Sequence, residues 1–351
     1  MYSKVYLYYF SGTGNAKRVT EWIGEHCSSR SIPVEIIKIE EGIKPHIEPS
    51  EEKKLIGFLS PTHGFNLPPL VLHFIFAFPK VKNADVFILN TRAGMKLSKL
   101  FLPGLSGIAL LLAALVLFLK GFRIKGLQPI DLPSNWISLH PGLKQIVVNS
   151  MYERIRKKTE KFSNKILSGK RVYKGLISLP IDLAIAPISF GYYFIGRFML
   201  AKTFVATSKC NACELCVKQC PVKALKMKNK RPYWTYDCES CMRCMNTCPE
   251  RAIETPHGFV IVLWLILFNL PPIILTWILN KYAICTCSLT IYHHLIYNIA
   301  QVAFMFLIVW VTYYLLYKFM RFRIIDFIIK YTSFTHYKFW RRYKAPKKDK
   351  S

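Results

Sequence analysis

Between residues 210 and 249 the chain sets four cysteines in a run, Cys210-x2-Cys213-x2-Cys216-x3-Cys220-Pro221, and repeats it as Cys238-x2-Cys241-x2-Cys244-x3-Cys248-Pro249. No other feature restricts the fold as strongly. Three thiolates this close converge only from a tight loop, and an iron-sulfur cluster needs such a loop plus a fourth thiolate from elsewhere. Zinc ribbons use paired C-x2-C knuckles, rarely a triple run closed by Cys-Pro. Disulfides are rare in a reducing cytoplasm. Iron-sulfur chemistry is therefore the expected reading.

The spacing is that of two-cluster bacterial ferredoxins, in which the last Cys of each run ligates the other cluster. On this chain that puts one 4Fe-4S cluster on Cys210, Cys213, Cys216 and Cys248, and the other on Cys238, Cys241, Cys244 and Cys220. Lys218 and Lys223 lie close in sequence to Cys220, where positive charge raises a cluster's potential. Three of the 11 cysteines remain. Cys27 reads as a buried thiol in the first helix. Cys285 and Cys287 lie near His293 and His294, with no spacing that fixes a metal geometry.

The N-terminal part alternates strand and helix. Residues 2–10 are aromatic and β-branched and start too soon to form a signal peptide, so this end is expected to stay in the cytoplasm. Helical patterns over 16–26 and 68–78, an apolar helix after Pro103 and strands at 33–39, 54–60, 85–90 and 121–132 predict a doubly wound α/β domain. Its parallel sheet would run in the order 2-1-3-4-5. Ser11-Gly12-Thr13-Gly14-Asn15 falls at the first strand-to-helix turn, where glycines expose backbone N–H groups, hydroxyls add donors and the helix end adds positive charge. That is a phosphate cradle, and neither a Walker loop nor a dinucleotide G-x-G-x-x-G. Two more loops, Ser60-Pro61-Thr62-His63-Gly64-Phe65-Asn66 and Asn90-Thr91-Arg92-Ala93-Gly94-Met95, are expected at the same carboxyl edge.

With these motifs in view, residues 1–255 resemble a flavodoxin-ferredoxin fusion, a flavodoxin-like domain joined to a two-cluster ferredoxin module. Phe-Ser-Gly-Thr-Gly-Asn resembles the FMN-phosphate loop, and the two further loops resemble those flanking the isoalloxazine. Leu132-Pro133-Ser134-Asn135-Trp136 resembles the continuation after the fifth strand. The resemblance implies FMN on Ser11, Gly12, Thr13, Gly14, Asn15, Pro61, Thr62, His63, Gly64, Phe65, Asn90, Thr91, Arg92 and Gly94. It departs at Ala16, where flavodoxins usually place a threonine, and at His63, which stands in for the usual aromatic stacker.

The remainder speaks of a membrane. The chain is 52% hydrophobic yet carries 49 Lys+Arg against 20 Asp+Glu, a net charge of +29. No nucleic-acid-binding signature accompanies the charge, so nucleic acid is not an expected partner. Residues 259–279 and 295–317 each have the roughly 20 apolar residues of a bilayer helix. The loop between them holds only Lys281 as a strong base, whereas Arg251 precedes the first span and Lys318, Arg321, Arg323 and Lys330 follow the second, which orients both ends to the cytoplasm. Residues 322–343 mix isoleucines and aromatics with bases, as an interfacial helix does. Residues 101–119 are apolar enough for a third span but join two strands of one sheet, so they are expected to lie on the sheet. The expected units are 1–170, flavodoxin-like; 171–204, an apolar connector; 205–256, the small α+β ferredoxin domain; 257–318, a transmembrane helical hairpin; and 319–351, a basic interfacial tail. The helix over 143–167 adds a strongly basic face, which reads either as a solvated surface or as one suited to an acidic partner or anionic lipid.

The expected function is membrane-bound electron transfer between FMN and two 4Fe-4S clusters, at the inner (cytoplasmic) membrane with redox domains and tail facing the cytoplasm. Expected partners are acidic redox proteins, membrane lipid and a quinone. The alternatives are a redox-responsive adaptor with clusters but no working flavin, and an FMN-dependent quinone reductase. The sequence offers no nucleophile triad or paired catalytic carboxylates.

Overall fold

A computed structural model describes residues 2–49, 51–97, 100–281 and 291–340. Cys285, Cys287 and residues 341–351 lie outside the described residues. The first unit is a parallel sheet built from β1 (Lys4–Tyr9), β2 (Val34–Lys38), β3 (Lys54–Pro61), β4 (Ala84–Leu97) and β6 (Arg123–Pro133), in the order β2-β1-β3-β4-β6. Counting only these five strands, this is the flavodoxin order 2-1-3-4-5 that the alternation predicts. The short β5 (Leu100–Leu102) folds back antiparallel on β4. Strands covered on both faces read as near-continuous apolar runs, and β1 and β3 are almost wholly buried.

Two helical layers cover the sheet. On one face, Tyr6, Tyr8, Phe58 and Ile88 pack with α2 (Pro69–Ala77) and α3 (Ala109–Leu119). On the other, Leu7, Leu55, Phe87 and Ile130 pack with α1 (Asn15–Ser28) and α4 (Gln145–Leu167). The apolar stretch after Pro103 thus lies on the sheet. α3 has 11 residues, about 16 Å at 1.5 Å per residue, against a bilayer core of about 30 Å. It buries Ala109, Leu110, Ala113, Val116 and Leu117 and leaves Leu115, Phe118 and Leu119 exposed.

One expectation is corrected. Asn90-Thr91-Arg92-Ala93-Gly94-Met95 is not a loop but the continuation of β4, paired with β6 as far as Gly94 opposite Pro133. The polar composition that suggests a turn serves the ladder instead. Arg92 Nε donates to Asp131 Oδ1 on the facing strand at 2.6 Å, and the same carboxylate oxygen accepts from Gly104 N at 2.9 Å.

Residues 170–201 leave α4 along the outer edge of β6, where Leu127 N donates to Val172 O and Val172 N donates to Lys125 O. They form a 3-10 turn (Lys174–Ser178), α5 (Leu179–Ala184), α6 (Ala186–Gly191), a π turn (Tyr192–Gly196) and α7 (Arg197–Ala201). The two arms, Lys174–Ala184 and Ala186–Ala201, are apolar enough to enter a membrane and bend by 77° between them. Asp182, 2% exposed, pins the bend to the loop before α3 by accepting from Ser106 N, Gly107 N and Ser178 Oγ.

The cysteine-rich unit pairs β7 (Val205–Ala206) with β10 (Ile253–Glu254) and β8 (Leu225–Lys228) with β9 (Arg231–Trp234). It also holds α8 (Leu215–Lys218) and α9 (Arg243–Thr247). Left-handed residues recur at matching places in the two runs: Ala212 and Ser240, Glu214 and Met242, Lys223 and Arg251. The sequence repeat is therefore a backbone repeat.

α10 (His257–Lys281) and α11 (Ile291–Phe319) are two helices long and apolar enough to cross a membrane, with mean hydropathies of 2.4 and 2.0 over their best stretches. Tyr313 of α11 donates to Phe204 O, and Tyr317 to Lys228 O, so this helix is fastened to the cysteine-rich unit. α12 (Arg323–Tyr331) follows, exposing Ile324, Phe327 and Ile328 while Asp326 accepts from Ser208 N and Oγ.

Candidate functional site

A cavity opens at the carboxyl ends of β1, β3, β4 and β6, the edge where open α/β sheets bind ligands. Of the residues expected to hold FMN, Ser11, Gly12, Thr13, Asn15, Pro61, Thr62, His63, Thr91 and Arg92 line it. Gly14, Gly64, Phe65, Asn90 and Gly94 stand outside the lining. Each of these five shapes the site or its frame. Gly14, at φ 104°, starts α1 and donates its N–H to Ser11 Oγ at 3.0 Å. Asn90 Nδ2 donates to Thr62 Oγ1 at 2.7 Å. Phe65 O accepts from Ile108 N and from Ser189 Oγ of the connector. Gly64, at φ 53°, lets the Tyr192 ring press on it so closely that a Cβ there would lie 2.1 Å from the ring. Gly94 is part of the β4 ladder.

The donor set suits an anionic, polar cofactor. Thr13 Oγ1, His63 Nδ1 and Ser240 Oγ all belong to lining residues and are buried without a hydrogen-bond partner. Such orphans are rare and costly unless a ligand satisfies them. Burial alone pushes His63 down to about 4, so the imidazole is neutral near pH 7. Ala16 lines the cavity where a flavodoxin threonine would place a hydroxyl. The open volume, about 80 Å³, is small beside the roughly 300–1,000 Å³ of a usual cofactor site. Trp136 and Tyr192, edge to face at 6.2 Å, are its aromatic walls.

The cysteines gather in two sets. Cys210, Cys213, Cys216 and Cys248 line one small cavity together. Cys220, Cys238, Cys241 and Cys244 form the second, each of the last three feeling the charge of Cys220. Burial, and then the neighbouring thiols, push Cys216 up to about 11, and burial first pushes Cys241 to the same level and Cys244 well above the usual thiol range. Four buried thiols close together become thiolates only against strong local positive charge, which iron supplies. Ala224 N donates to Cys220 Sγ at 3.3 Å and Ala252 N to Cys248 Sγ at 3.4 Å, the same contact in both repeats. Among the described residues no group of three or more His, Cys, Asp or Glu side chains is arranged to hold a single metal ion.

The two candidate sites share a wall. Ser240 and Cys241 line the cavity at the strand ends, and the Cys241 carbonyl approaches Gly12 so closely that a Cβ there would lie 2.2 Å from it. Arg243 clamps the join. Its Nε donates to Gly12 O at 3.0 Å, Nη2 to Ser11 O and Nη1 to Gln219 O at 3.2 Å, and Nη1 lies 3.6 Å from Glu40. The guanidinium thus holds two carbonyls of the loop over residues 11–15 from the cluster side. Leu70 N donates to Glu239 Oε1, a second tie between the units.

Residues 209–253 match the family model described as a 4Fe-4S dicluster domain. The chain thus joins a flavodoxin-like fold to a 4Fe-4S, ferredoxin-type domain. A search among curated proteins gave no match. Among solved structures, a flavodoxin from Streptococcus pneumoniae TIGR4 is 11% identical, covering 47% of this chain and 99% of its own, at TM-score 0.32. Oxidised flavodoxin 1 from Bacillus cereus is 16% identical, covering 47% and 98%, at 0.31. Rubredoxin oxygen:oxidoreductase from Desulfovibrio gigas is 15% identical at 0.31, covering 47% of this chain but only 36% of that enzyme.

Sequence reasoning did not assign Ser240, Cys241 or Tyr192 to the cavity at the strand ends, because each arrives from a distant unit with no local motif for the role. Trp136 was reachable only through the resemblance of the residues around it.

Proposed function

We propose that the chain is a membrane-bound electron-transfer protein that holds FMN at the strand ends and two 4Fe-4S clusters on the two cysteine sets. The observation that carries this reading is the shared wall: Cys241 stands among the second set of cysteines and also lines the flavin cavity. FMN holds two electrons and releases them singly while each cluster takes one, so the pair links two-electron and one-electron partners.

The chain's own residues would set the conditions. The loop over residues 11–15 binds the phosphate with backbone N–H groups and the Thr13 hydroxyl, while Arg243 holds the loop against the cluster unit. His63, neutral at pH 7, places no charge beside the flavin. Lys202, 2% exposed, donates to Trp234 O at 2.5 Å and sits over the rings of Tyr233, Tyr236 and Tyr313. Burial lowers it to about 8, which leaves it mostly cationic at pH 7. A buried cation near Cys238 raises the potential of the adjacent cluster.

In this reading α10 and α11 anchor the chain in a membrane, the cytoplasmic one with the redox units on the cytoplasmic side. Its partners are acidic redox proteins or a quinone. Anaerobic purification in detergent, with iron, sulfide and flavin quantified and spectra followed through reduction, tests the reading. About eight irons and one FMN that bleach together support it.

A second reading, a redox-responsive membrane adaptor with clusters and no working flavin, is favoured by the small open volume at the strand ends. Eight irons with no flavin taken up on reconstitution would select it.

A further inference from the structure

A second cavity lies apart from the flavin site. A groove of about 830 Å³ runs between α4 and the β4–β5 hairpin. Its floor is apolar, formed by Met151, Ile155 and Phe162 of α4 and by Phe101 of β5. Its rim is basic, with Arg154, Lys157, Lys158, Lys161, Lys165 and Lys174 around it. The one acid among the lining residues, Asp131, is already engaged, by Arg92 at 2.6 Å and Lys158 at 3.6 Å. Two of the cations are organised over the floor: the Arg154 guanidinium lies 4.1 Å above the Phe101 ring, and Lys158 Nζ is held by Pro129 O at 3.1 Å.

We propose that this groove binds the headgroup of an anionic phospholipid, seating the flavodoxin-like unit on the membrane surface. The proposal rests on the membrane attachment argued above. Three observations favour lipid over other anions. A small soluble anion needs the basic rim but has no use for the apolar floor, whereas a phospholipid presents phosphate and hydrocarbon together. Lys174 is both a wall of the groove and the first residue of the bent apolar arm Lys174–Ala184. Beyond it Ile177 is 80% exposed, and Ile181 and Leu183 are also exposed, so the groove opens beside a surface built to meet hydrocarbon. Met95, which lines the groove, and Leu100 of β5 are exposed as well. Basic pockets beside membrane-embedded segments recognise anionic lipid headgroups because surface anions and hydrocarbon lie within a few ångströms of each other there.

The experiment is native mass spectrometry of the full chain in detergent, titrated with phosphatidylglycerol or phosphatidylcholine. The unmodified chain is compared with two triple variants. One, K157Q/K161Q/K165Q, removes charge from the groove. The other, K44Q/K80Q/K82Q, removes the same charge from exposed positions outside it. The expected result is one phosphatidylglycerol retained per chain in preference to phosphatidylcholine, with affinity falling about 10- to 100-fold in the groove variant and unchanged in the control. Equal retention of both lipids, or equal loss in both variants, overturns the proposal. So does displacement by millimolar inorganic phosphate, which identifies a soluble-anion site, or by an acidic peptide in place of lipid. A chain that stays monodisperse without detergent overturns the membrane reading itself. A chain that needs detergent but retains no phosphatidylglycerol overturns only the lipid site.

Discussion

His63 makes the stability of the flavodoxin-like unit depend on pH in a calculable way. Its ring lies at the mouth of β3, edge to face with Phe10 at 6.0 Å, with Nδ1 buried and unpartnered. Burial lowers it to about 4, against an ordinary 6.5. The native state therefore stays neutral where the unfolded chain takes up a proton. The unfolded state binds more protons between these values, so stability rises with pH and is lost as pH falls below about 6.5. Relative to pH 7.5, the loss amounts to about 2 kcal/mol at pH 5 and about 3 kcal/mol at pH 4. His63→Gln removes this titration. Hydrogen exchange in peptides from β1 and β3 reads the sheet rather than the clusters, and the wild-type to variant ratio cancels intrinsic exchange rates. Between pH 7.5 and pH 5 the protection of wild type relative to variant should fall about 30-fold. Parallel profiles for the two proteins would refute the argument that the ring is buried neutral.

Replacing Arg243 by Gln removes charge-assisted bonds to two phosphate-loop carbonyls, each worth about 1.5–3 kcal/mol. FMN affinity, measured by fluorescence quenching, should drop at least tenfold while iron content is unchanged. Cys248→Ser should cost the cluster of the first run and spare that of the second, so that iron analysis and electron paramagnetic resonance of the reduced protein find one cluster; loss of the second cluster alone would reverse the assignment. Lys202→Met removes a buried cation, and redox titration should show one cluster shifted to lower potential and the other unmoved. Asp182→Ala leaves Ser106 N and Gly107 N without their acceptor, at about 1–3 kcal/mol each, and limited proteolysis should then cut faster within residues 174–191.

Much of this arrangement is written locally. Strands such as Tyr6-Leu7-Tyr8 and Leu55-Ile56-Gly57-Phe58 lie between helical layers and so are apolar on both faces, which makes the five-stranded alternation readable without partners. The cysteine runs are legible for the same reason: spacing within a tight loop is a local property. Legibility fails where a distant partner decides. Asn90-Thr91-Arg92 has the composition of a turn, and its pairing with the ends of β3 and β6, Asp131 included, makes it part of a ladder. The connector reads as broken apolar chain because its order comes from Asp182 gripping the loop before α3 and from Tyr192 lying on Gly64. Cys241 is legible as a ligand, yet its carbonyl's approach to Gly12 belongs to the packing of two units.

The ties between residues 257–340 and the segment behind Trp136 bear on the order of assembly. Trp340 Nε1 donates to Ile137 O at 2.7 Å, Gly142 N donates to Trp340 O, and His257 Nε2 meets Ser138 O at 2.9 Å. These contacts fasten the segment that follows Trp136, itself a wall of the cavity at the strand ends. On a ribosome the sheet can close early, but that wall gains its last supports only after both apolar helices have emerged and residue 340 has folded back. A chain stopped before that point would carry every residue of the phosphate loop and every cluster cysteine while lacking the brace behind Trp136. Cofactor retention would then report on the completeness of a segment far from any cofactor.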